Sequence, residues 1–72
     1  MYTMAWFDGV TEYSACASTQ DSVHCIFWCL KRYYESTSCA ACWISVWLNG
    51  IPVDPEHGFR PSNTARITFR AL

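Results

Sequence analysis

Four of the five cysteines stand at spacings that suit a metal: Cys25 and Cys29 four apart, then Cys39 and Cys42 with two alanines between them. Zinc favours four soft ligands in a tetrahedron, and two thiolate pairs are a common way to supply them. Cys25 and Cys29 would share one face of a helix, and His24 beside them is a spare ligand. Two features count against the site. Cys42 runs straight into a bulky apolar stretch instead of a turn, and the second pair would have to reach back about 15 Å along the helix, at 1.5 Å of rise per residue. Free cysteine behaves as a small, commonly buried hydrophobe. The expectation is therefore packing cysteines without a cofactor, with zinc held by Cys25, Cys29, Cys39 and Cys42 as the alternative. Cys39 and Cys42 also have the spacing of a redox pair. Such pairs work at a helix N-terminus, which stabilises the thiolate, whereas this one leads into a strand. The odd count and the absence of a leader-like start point to reduced thiols. Cys16 stands alone at the end of a strand, where core or edge packing is expected.

Asp54, Glu56 and His57 lie close enough in sequence to share a hard cation, but a solvated polar loop is the simpler reading. The chain has no glycine-rich phosphate loop, no nucleophile elbow and no helix-borne histidine pair. Nothing in the spacing of the six acidic residues selects two for acid–base work. No catalytic residue is expected and the chain is read as a non-enzyme.

The charges are unevenly placed. The net charge is −1, so no global field for a polyanion exists. From Arg60 onward, however, the chain has arginines and no acid. Arg66, Thr68 and Arg70 fall on one strand face, and arginines beside exposed aromatics could hold single-stranded nucleic acid by phosphate contact and base stacking. The mildly acidic balance makes nucleic acid an alternative only; an acidic protein partner suits the same side chains.

The elements that must position these residues are legible. Met1 to Phe7 reads as a strand, Asp8-Gly9 as a hairpin turn and Val10 to Ala17 as the return strand. Tyr2, Met4 and Trp6 share one face of the first strand. Ser18 or Thr19 can cap a helix that runs from about Gln20 to Glu35, with Val23, Ile26, Phe27, Leu30, Tyr33 and Tyr34 at the spacing of one face. Ser36-Thr37-Ser38 stops it. Cys39 to Leu48 alternates again: Cys42, Ile44, Val46 and Leu48 oppose Trp43, Ser45 and Trp47. Asn49-Gly50 is a strong hairpin signal. Ile51-Pro52-Val53 begins a return strand that Pro52 confines to an edge or ends early. Asp54 to Thr64 reads as a loop and Ala65 to Leu72 as a last strand. The expectation is one α+β domain over residues 1–72, a single helix on one face of a four- or five-stranded antiparallel sheet, in ββαβββ order.

With one helix as cover, the other sheet face has none within the chain. Hydrophobic residues make up 51% of the sequence, aromatics 17% and charged residues only 15%, against about 25% charged in an average soluble domain. Aromatic side chains must therefore sit on an open patch or an interface. The expected contact residues are Trp43 and Trp47, joined across strands by Trp6 or Tyr13, with Arg66 and Arg70 as a charged margin. That makes the chain a small protein-binding module, expected to form a homodimer through the open face. Accessory proteins of phages and mobile elements that inhibit a larger machine are often of this kind, an association of type rather than a derivation. The start of the sequence lacks a basic and then apolar leader, and no apolar run approaches the ~20 residues of a spanning helix, so a cytoplasmic location without membrane contact is expected.

Overall fold

The computed structural model describes residues 1–37, 39, 41–64 and 66–69. The chain forms β1 (Tyr2–Phe7), β2 (Glu12–Ala17), α1 (Gln20–Thr37), β3 (Trp43–Leu48), β4 (Ile51–Asp54), β5 (Arg60–Pro61) and β6 (Ile67–Thr68). The strands lie in the order β2-β1-β3-β4-β5, with β6 also pairing β3, and every pairing is antiparallel. This is an α+β fold with one helix on the sheet.

Local chemistry sets the boundaries. Asp8 closes the first hairpin: its Oδ1 accepts the backbone N–H groups of Val10 and Thr11 at 2.8 and 2.7 Å. The central turn residues are therefore Gly9, with φ +98°, and Val10, one position later than the Asp8-Gly9 turn expected. Thr19 caps α1 by accepting the Ser22 N–H at 3.3 Å. At the other end the Ser36 and Thr37 hydroxyls donate back to the Tyr33 carbonyl, so α1 ends two residues later than expected. Asn49 and Gly50 have φ of 50° and 82°, the left-handed pair that a tight hairpin turn requires.

The strand after that turn splits the sheet. β4 pairs with β3 only through Trp47 opposite Pro52 and Leu48 opposite Ile51. Pro52 has no N–H to continue the ladder, and its carbonyl instead accepts Ser62 N–H at 2.9 Å beside β5. The region expected to be a plain loop thus contains a short strand, and β4 is not at the edge of the sheet. β6 takes β4's place further along β3, with Trp43 opposite Thr68 and Ile44 opposite Ile67. Among the described residues the sheet has six strands, against the four or five expected.

The core lies between α1 and one sheet face. Val23, Phe27 and Tyr34 from the helix meet Met4, Cys42, Ile44, Val46, Val53 and Phe59, all buried. Tyr33, expected on this helix face, is exposed. Phe59 enters the core with φ +59°, unusual for a bulky residue; its burial and an N–H bond to the Asp54 carbonyl at 2.8 Å hold it there.

Candidate interaction surface

Directly opposed residues of paired strands share a face, so the register sorts every side chain. Met4 lies opposite Val46, and Trp6 opposite both Ile44 and Tyr13. Trp6 and Tyr13 are therefore on the helix side, stacked on each other at 5.9 Å, with Trp6 packed against the core. The expectation that they join Trp43 and Trp47 does not hold. The reason is the β1–β3 register, which no local turn determines because the whole helix intervenes.

On the opposite face three rows cross the strands. The first is Glu12, Phe7, Trp43 and Thr68; the second holds Ser14, Ala5 and Ser45; the third is Cys16, Thr3, Trp47 and Pro52. Phe7 stacks on Trp43 at 6.3 Å between ring centroids. Arg66 lays its guanidinium over the Trp43 ring at 4.0 Å, a cation–π contact. None of Phe7, Trp43 or Trp47 belongs to the core, and all three are half-buried. Phe7 is the aromatic of this face that sequence reasoning left out of its candidate set. Its alternation with Trp6 is visible in the sequence, but which of the two neighbours faces outward is not. Between the indoles, Ser45 is 2% exposed, and its Oγ meets no hydrogen-bond partner among the described residues. Arg70 lies outside the described residues.

The cysteines are arranged otherwise than expected. Cys39 and Cys42 are joined in a disulfide, so reduced thiols do not describe this pair. It packs beside the first hairpin, where a Cβ at Gly9 would come within 3.3 Å of Cys39 Sγ. Cys25 and Cys29 are exposed on the outer side of α1, and Cys16 is exposed on the open sheet face, so these three do not pack in a core. The zinc set of Cys25, Cys29, Cys39 and Cys42 is thereby broken: one pair is bonded to itself, with Cys42 buried under the sheet, while the other faces away. His24, Trp28 and Arg32 line a shallow hollow with Cys25 and Cys29.

Asp54, Glu56 and His57 do converge, with potential ligand atoms within 4.8 Å of one another. Internal bonds account for them. Asp54 accepts Glu56 N–H at 2.9 Å and pairs with His57 Nδ1 at 2.7 Å, while Glu56 meets Lys31 at 3.5 Å. Partial burial pushes the Asp54 carboxyl up, but the His57 and Glu56 hydrogen bonds outweigh it and hold the carboxyl below its ordinary value. Lys31 also bonds Glu35 at 3.1 Å and lies over Trp28 at 5.1 Å. The Glu35 bond leads in raising the Lys31 ammonium above its ordinary value. The network ties the loop after β4 to the helix.

Among the described residues the C-terminal arginines do not form one basic patch. Arg60 pairs across from Asp54 in β5, whereas Arg66 sits on Trp43. No helix is long and apolar enough to cross a membrane among the described residues. No protein-family model matches the chain, and no curated protein or solved structure is significantly similar to it.

Proposed function

We propose that this chain is a small, non-catalytic protein-binding module whose contact surface is the uncovered sheet face, with a second copy of itself as the first partner. One observation carries the reading. Phe7, Trp43 and Trp47 stand together on the face that the helix does not cover, and Arg66 is stacked on Trp43. Tryptophan and arginine are among the residue types most enriched where binding energy concentrates, and the flat rows of a sheet suit a flat partner. A module of this kind works by occupying its partner's surface, which is also how an inhibitor of a larger assembly would act.

Capture from an extract of the source cells tests it. The wild-type chain should retain a reproducible partner that Trp47→Ala loses, while Tyr33→Ala, altered on the exposed side of the helix, keeps it. Equal capture by all three chains would refute the sheet face as the contact surface.

A further inference from the structure

We infer that the open sheet face is self-complementary and pairs face to face with a second copy about a twofold axis parallel to the strands. This rests on the open face being a contact surface and adds which partner it takes and in which orientation. Glu12 lies at the β2 margin of the first row, and Arg66 reaches the same row from the β6 margin, with Phe7 and Trp43 between them. A twofold contact is isologous: if one residue meets a second, the second meets the first.

Two in-plane axes bring such faces together, and the charges separate them. An axis along the strands keeps each row on its own row and reverses the strand order. Glu12 then faces the Arg66 guanidinium of the other copy at both margins, Phe7 faces Trp43, and the small Ala5 faces Ser45. In the third row, bulky Trp47 faces small Thr3. An axis across the strands keeps each strand on itself and reverses the rows. It leaves Glu12 over Cys16 and carries the Arg66 guanidinium onto the Pro52 end of the third row, away from any acid. The first arrangement pairs opposite charges and the second leaves both unpaired. Sheets so packed lie about 10 Å apart. Four strands at about 4.8 Å and six residues at about 3.4 Å give a patch of roughly 19 by 20 Å. At about 380 Å² per copy that is less than half of the ~800 Å² per partner of a standard interface, so the dimer is a weak, reversible one.

Sedimentation equilibrium over a concentration series tests the pairing, with Cys16, Cys25 and Cys29 changed to serine to exclude adventitious cross-links. The chain should move from its 8.3 kDa monomer to twice that mass as concentration rises. Glu12→Arg and Arg66→Glu each place like charges at both margins and should weaken the dimer by about tenfold or more. An equimolar mixture of the two variants sets the two arginines of one chain against the two glutamates of the other. It restores an opposite-charge pair at each margin and should associate about as well as wild type. Both positions are exposed, and circular dichroism checks that each variant folds. A wild-type chain that stays monomeric into the millimolar range would overturn the inference. So would single variants that dimerise as wild type does, or a mixture no better than its parts. If the chain is monomeric and Trp47→Ala still abolishes capture, the second copy is excluded while the binding face stands.

Discussion

Ser45→Ala should stabilise the protein. The Ser45 side chain lies between Trp43 and Trp47 at the centre of the open face, is 2% exposed, and leaves its Oγ without a hydrogen-bond partner among the described residues. A buried, unsatisfied polar group costs about 1–3 kcal/mol. Removing the oxygen relieves that cost and loses only a few dispersion contacts, each about 0.1–0.2 kcal/mol. The net gain is about 1 kcal/mol. With an unfolding entropy of about 2.1 cal/mol/K per residue, the 72-residue chain has about 150 cal/mol/K at its midpoint, so Tm should rise by about 7 °C. Differential scanning calorimetry at pH 7 measures it. Tyr34→Phe is the companion on the other face, because the Tyr34 hydroxyl is likewise buried and unpartnered among the described residues, and its gain should add to that of Ser45→Ala because the two share no partner. A fall in Tm of several degrees for Ser45→Ala would refute the reasoning, since it would mean that the hydroxyl makes a hydrogen bond worth keeping.

Other perturbations give equally direct readings. Phe27→Ala removes a fully buried ring and should cost about 3–5 kcal/mol. That is a large share of the total for so small a domain, so circular dichroism should show substantial unfolding. Reduction of the Cys39–Cys42 disulfide, which closes a four-residue loop, should cost about 2 kcal/mol or less on chain-entropy grounds. Cys42→Ser should cost more than Cys39→Ser in urea melts, because only Cys42 is buried in the core. Gly9→Ala should destabilise, since φ is +98° and the new Cβ would stand 3.3 Å from Cys39 Sγ. The Asp8 carboxyl is held below 3.8 by the Thr11 and Val10 N–H groups, and Asp54 is held below 3.8 as well. Their stabilisation is therefore present above pH 3.8 and is lost as pH falls through the lower folded values. Tm should decline below about pH 4, and Asp8→Ala should shrink that decline.

The legible parts of the fold are those that neighbouring residues decide. Asn49-Gly50 needs left-handed backbone at both positions and takes it, and the alternation along the strand before it sets Ile44 and Trp43 on opposite faces. Thr19, the apolar spacing from Val23 to Tyr34 and the poor propensity after Glu35 locate α1 to within two residues. What escapes is set by distant partners. Trp6 and Phe7 alternate symmetrically, and only the pairing of β1 with β3, across more than thirty intervening residues, sends Trp6 inward and Phe7 outward. Likewise, the spacing of Cys39 and Cys42 is visible, but their bond depends on the chain bending between α1 and β3. The short β5 exists because Gly58 and Phe59 both take positive φ and return the chain beside β4; Gly58 hints at this reversal and Phe59 does not.

The two exposed faces of the fold differ in which of their charges are already met. On the outer side of α1, Trp28 is covered by Lys31 at 5.1 Å and flanked by His24 at 6.0 Å, and Arg32 and the cysteines around it are at home in water. Lys31 in turn is engaged by Glu35 and Glu56. The charges on that side are therefore met, although the Trp28 Nε1 is buried without a hydrogen-bond partner among the described residues. On the sheet face a charge is left over. Its aromatic row is capped at one end by Arg66, while Glu12 at the other end makes no ion pair among the described residues. An acid and a base on opposite margins of one apolar row, too far apart to meet within a chain, are each satisfied when the face meets its own image.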